Sequence, residues 1–311
     1  NNIDVKHNIN IDKYLNIKKN INVDENILVK KEIVVDENIL VKKDIIVDKN
    51  ILVKKDIIID ENINGKSNIN VDVDINVKRN INIDKYLNIK ENINADKYVL
   101  VKKDLIVDEN INTKQSINVD DSIIVENDID VKRNINVDKY LNINKNINVD
   151  ENILVKKDII VDENVNVKRN INIDNSLIVN KSIIVDNDVN VKRNINIDKY
   201  LNITKNINVD ECVLVKKDII VDENILVKKD IIIDENINGK SNINVDFDVN
   251  IKRNVNIDKY LNIKENINAD NYILVKKDLI VDENINTKRS INVDDSVIVE
   301  NDINVKRNIN V

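Results

Sequence analysis

From Ile3 to Val311 aliphatic residues recur with a period of six, without one insertion or deletion. If each hexad is lettered a to f with Ile3 at a, all 52 a positions are Ile, Leu or Val, and 46 of the 52 c positions are Val or Ile. The c exceptions are Gly65, Ala95, Thr113, Gly239, Ala269 and Thr287. Side chains alternate along a strand, so residues two apart share a side. Each hexad therefore reads as a three-residue strand, a to c, followed by a polar three-residue corner, d to f. The same spacing on a 3.6-residue helix scatters and makes no stripe, and the abundance of β-branched residues also favours strands. Strands this short cannot stand alone, so successive hexads are expected to wind into coils that stack as parallel sheets, with a and c inside.

Charge fixes the number of hexads per coil. At d, Lys and Asp alternate, as in Lys30, Asp36, Lys42, Asp48 and Lys54. Two hexads per coil would stack like charges about 4.8 Å apart, the spacing of neighbouring strands. Three hexads place each Lys against an Asp: at that offset 37 of 48 d pairs are opposite in sign and five are alike. An exposed pair contributes only roughly 0.2–1 kcal/mol, but the same sign recurs along the whole chain. The sequence thus predicts an all-β, three-sided parallel β-solenoid of 18 residues per coil. About 17 coils at about 4.8 Å each would give a rod on the order of 80 Å long.

The alternation slips by one hexad through Asp120, Glu126, Lys132 and Asp138, and again where Glu300 precedes Lys306. Residues 57–128 match residues 231–302 at 64 of 72 positions. That internal duplication favours recombination as the source of the slips; the other reading is that they bound a higher-order unit used in assembly. The offset, 29 hexads, is not a multiple of three, so equivalent features fall on different sides. Residues 1–311 read as one continuous solenoid, part of a longer repeat array.

Position f is Asn or Asp in 36 of 51 hexads, the non-glycine residues that best tolerate a left-handed backbone. This offers a corner without glycine, and the two glycines, both at c, are expected to serve packing. Tyr14, Tyr86, Tyr98, Tyr140, Tyr200, Tyr260 and Tyr272 also sit at f. Each either covers the start of the next strand or contacts another rod. Cys212 occupies the same corner position and is expected to be exposed and unpaired within the chain.

Outward position b is usually Asn, whose amides can ladder from coil to coil. In two stretches it is apolar: Leu28, Val34, Leu40, Ile46, Leu52 and Ile58, then Leu214, Ile220, Leu226 and Ile232. Exposed apolar bands of this kind mark contact surfaces, and these ten residues are the candidate lateral contacts.

Composition narrows the chemistry. One His and one Cys leave few routes to a metal site, a catalytic triad or a disulfide framework. His7 reads as a solvated corner residue, and the corner carboxylates as ladders with lysine and not as calcium ligands. Only three Thr residues are present, too few for an ice-binding array. A net charge of −7, with bases and acids interleaved, disfavours nucleic acid. No long apolar run suggests membrane insertion.

The unit Val35-Asp36-Glu37-Asn38-Ile39-Leu40 resembles the repeat of the hexapeptide-repeat parallel β-helix family in five of its six positions. The resemblance covers the full length and implies a left-handed coil. It departs where the family prefers a small residue and this chain has Ile, as at Ile39 and Ile45. The acyltransferase and carbonic anhydrase activities of that family need histidines this chain lacks, so no enzyme activity, cofactor or metal is expected. Neither end of the sequence carries a polar cap, and open strand edges recruit further strands. The expectation is a structural filament or fibre whose partner is itself, end to end and laterally, at the cell surface or outside the cell. The competing reading is the rigid stalk of a cell-surface adhesin or binding protein.

Overall fold

A computed structural model describes residues 2–311. Each a-to-c triplet forms a strand, from Ile3–Val5 to Ile309–Asn310, and each d-to-f triplet turns the chain. The strands form two compact units, one ending at Lys156 and the other beginning at Lys157.

In the first unit Ile3, Ile9 and Leu15 pair in parallel with Ile21, Ile27 and Ile33. The three sides of a coil thus belong to three sheets, and the register is 18 residues. The second unit repeats this: Ile159, Val165 and Ile171 pair with Leu177, Ile183 and Val189. Each unit is therefore an all-β, three-sided parallel solenoid with 18 residues per coil, as the charge alternation predicts. From Ile21 to Val293 every a and c residue is buried, so the core of each unit is a column of Ile, Val and Leu. Aliphatics at a and c fill it because a period of two turns both inward at once.

Backbone pairing extends past the strands into the corners. The a N–H donates to the f carbonyl one coil later, as Ile21 N to Asn38 O at 3.0 Å, and the d N–H donates to the c carbonyl one coil earlier, as Asp24 N to Val5 O at 3.0 Å. The corners themselves correct one expectation. No described residue, glycine included, has a positive φ, so Asn and Asp are not chosen at f for a left-handed turn. They serve as acceptors: each f side chain takes the N–H of the f residue one coil later. In the first unit this column runs unbroken through Asn20, Asn38, Asp56, Asp74, Asn92, Asn110, Asp128 and Asn146, with N···Oδ1 distances of 2.9–3.2 Å. In the second it runs from Asn170 through Asp188, Asn206 and Asn224 to Asn242. A half-buried N–H left without a partner is costly, and a short side chain ending in an sp² oxygen fits that place.

Gly65 and Gly239 lie inside, as expected of packing residues. A Cβ at Gly65 would stand 3.2 Å from Ile83 Cδ1 and 3.3 Å from Ile69 Cδ1; at Gly239 it would stand 3.3 Å from both Ile257 and Ile243 Cδ1. In each unit the missing side chain is replaced by an Ile at c one coil later.

Candidate assembly surface

The d columns carry the electrostatics. Lys30, Lys42, Lys54 and Lys66 place Nζ 2.7–2.8 Å from Asp12, Asp24, Asp36 and Asp48. Lys192, Lys216, Lys228 and Lys240 do the same with Asp174, Asp198, Asp210 and Asp222 in the second unit. In each pair the lysine reaches back one coil, so the ladder has a direction. The hydrogen bond from its lysine holds the carboxyls of Asp12 and Asp24 below the ordinary aspartate value. The same contacts raise the amines of Lys30 and Lys42. Asp121, at the slip, is lowered by its hydrogen bond to Lys139 and further by Lys103.

The ten candidate lateral contacts fall out unevenly. In the first unit Leu28 pairs with Ile46, Val34 with Leu52 and Leu40 with Ile58, one pair on each of three sheets. Leu28, Leu40, Leu52 and Ile58 are exposed, Val34 and Ile46 half-buried. Each side thus offers one two-residue apolar step. In the second unit only Leu214 and Ile232 are neighbours. Ile220 lies between Asn202 and Asn238, and Leu226 between Asn208 and Asn244. Three further apolar steps, Ile106 with Ile124, Ile160 with Ile178 and Ile280 with Ile298, escape a reading by consecutive hexads; the signal that finds them is apolar b residues 18 apart.

Elsewhere the b columns are amide ladders. Asn94 Nδ2 donates to Asn76 Oδ1 at 2.9 Å and Asn112 to Asn94 at 3.1 Å; Asn268, Asn286 and Asn304 continue from Asn250 at 2.9–3.0 Å. A ladder ends where the next coil brings a residue with no donor. Asn202 and Asn262 leave a buried Oδ1 unpartnered beneath Ile220 and Ile280. At f, Asn68 and Asn242 do so one coil before Tyr86 and Tyr260.

The tyrosines are all partly exposed. Lys31 lies 5.2 Å over the Tyr14 ring, and Arg289 lies 5.5 Å from the Tyr272 ring while donating to its hydroxyl at 3.3 Å. These are cation–π contacts, a partner that apolar spacing does not predict. His7 has a side chain 86% exposed, with Nδ1 4.0 Å from Glu25 Oε2. Cys212 is a free thiol, but half-buried and not exposed, because Asp230 one coil later stands 3.9 Å from its sulfur.

These features define the class: a three-sided parallel β-solenoid whose exterior is built from columns of charge, amide and short apolar steps. No protein family, curated protein or solved structure matches the chain.

Proposed function

We propose that this chain is a structural, fibre-forming solenoid that stacks end to end, with the apolar b residues joining neighbouring rods side by side. It is placed at the cell surface or outside the cell. The proposal includes membership of the hexapeptide-repeat β-helix family and its left-handed coil, supported by the 18-residue coil and the match at residues 35–40. One observation carries the assembly reading. Each coil presents the next with the same in-register set of backbone bonds, f-position acceptors and d-column charges. A surface that accepts one coil accepts another of the same kind, whichever chain supplies it.

Electron microscopy and sedimentation of the purified 311-residue protein test this together. Elongated particles that lengthen with concentration are expected. Dispersed single particles at the highest attainable concentration would overturn end-to-end assembly. Leu40→Asn with Ile58→Asn is expected to abolish side-by-side bundles while leaving single filaments; bundling unchanged in that variant would reject the apolar steps as lateral contacts.

A further inference from the structure

Two surface furrows, one in each unit, have the same construction. The first, about 400 Å³, is lined by Asn94, Ala95, Asn112, Thr113, Lys114 and Lys132, with Asp96 and Asp130 among its acids. The second, about 500 Å³, is lined by Ala269, Asn286, Thr287, Lys288, Asn304 and Lys306, with Asp270. Each runs between a b column of amides and a d column of charge. Its floor is a c column in which Ala and Thr pair in adjacent coils, Ala95 with Thr113 and Ala269 with Thr287, where Val or Ile is the rule. Volumes of this order suit a small ligand.

The charge slips fall in these furrows. Lys114 and Lys288 are held by Asp96 and Asp270 at 2.8 Å. Lys132 and Lys306 follow one coil later and find lysine where every regular column offers aspartate. Like charges on neighbouring strands destabilise, and this conflict occurs in both copies at the same step from the small c residues. An oxyanion lying against the two lysines removes it through charge-assisted hydrogen bonds.

We propose that the furrow at Lys288 and Lys306 binds an acidic oligosaccharide, a carboxylate meeting the lysines and ring hydroxyls meeting the amides of Asn286 and Asn304. A peptide is a poorer fit, because strand addition needs unpaired backbone edges, and the backbone groups along this wall are already paired between coils. The furrow in the first unit is the weaker of the two. Its lining carries Asp96, Asp130 and Asp150 against two lysines, whereas that of the second carries Asp270 alone against two. Asp130 puts a carboxylate where the second furrow has the amide of Asn304.

Calorimetric titration of the full chain with trigalacturonate, and with maltotriose as the neutral probe, tests the proposal. Trigalacturonate is expected to bind at one site, weakening as salt is added, and maltotriose at least tenfold less tightly. Lys306→Ala is expected to weaken trigalacturonate at least fivefold. Lys252→Ala, whose amine is held by Asp234 at 2.7 Å outside the furrow, should change it less than twofold. Asp130→Asn should add a second site. No binding of trigalacturonate at millimolar concentration, equal binding of the neutral sugar, or equal loss in the two lysine variants would overturn the proposal.

Discussion

At the scale of single residues, the corner side chain at f has the most specific task. Asn38 Oδ1 takes the Asp56 N–H at 3.0 Å, whereas Asn68 Oδ1 has no partner. Asn38→Ala is therefore expected to cost about 1 kcal/mol, the usual net value of such a bond, and to speed amide exchange at Asp56. Asn68→Ala should cost less than half as much. Guanidinium unfolding of both variants measures the difference, and equal costs would show that the acceptor role is not what selects Asn here.

The charged d residues give the chain its pH response. Asp12, Asp24 and Asp121 have carboxyls lowered in the folded state by their lysines. Their contribution is complete above the ordinary carboxylate value, about 4, and is lost as pH falls through the lowered folded value. Lys30, Lys42 and Lys54 are raised by their aspartates. Theirs is complete below the ordinary lysine value, about 10.4, and lost as pH rises through the raised folded value. Thermal unfolding followed between pH 2 and 12 should therefore show a plateau falling at both ends. Because these groups are exposed, 1 M salt should flatten both falls. A stability maximum at the isoelectric point, without a plateau, would contradict the ladder account.

At the scale of strands, the strand Ile63–Gly65 depends on Ile83 one coil later. Gly65→Ala brings a methyl to 3.2 Å from Ile83 Cδ1 and is expected to cost about 1–3 kcal/mol as overpacking. Ile83→Val alone should cost about 0.5–1.5 kcal/mol for the space it leaves. Together they should cost clearly less than the sum, since each supplies the volume the other disturbs. An additive cycle would mean that the glycine answers to something other than this contact. The apolar b steps also belong to this scale. That Leu28, Leu40 and Leu52 would point outward follows from alternation along a strand. That Ile106 meets Ile124 needs the coil length as well, because the two are three hexads apart in the chain and adjacent only across the sheet.

For the molecule as a whole, register is the property that long-range structure controls. Deleting residues 39–56 removes one coil and stacks Asp24 on Asp60, Lys30 on Lys66 and Asp36 on Asp72. Deleting residues 21–56 removes two and keeps every column alternating, with Lys6 on Asp60 and Asp12 on Lys66. With three pairs at roughly 0.2–1 kcal/mol each, the longer deletion is expected to be the more stable, by on the order of 1–3 kcal/mol at low salt. Comparison of unfolding midpoints at 10 mM and 1 M salt would decide it; a shorter deletion that is the more stable at low salt would refute the charge register.

The sequence by itself determined the strand, the corner, the inward pair of aliphatics and the 18-residue coil. Each of these rests on a local period or on a charge pattern repeated often enough to count. The tertiary structure decided what happens between residues 18 apart. It turned the f-position Asn and Asp from turn formers into acceptors for the next coil's N–H, and gave the lysines their backward reach. It divided the apolar bands among three sides, and brought the small c residues together with the lysine pairs of the two charge slips. Those outcomes depend on distances across a sheet. A residue's neighbour there is set by the closing of the coil and not by its neighbours in the chain.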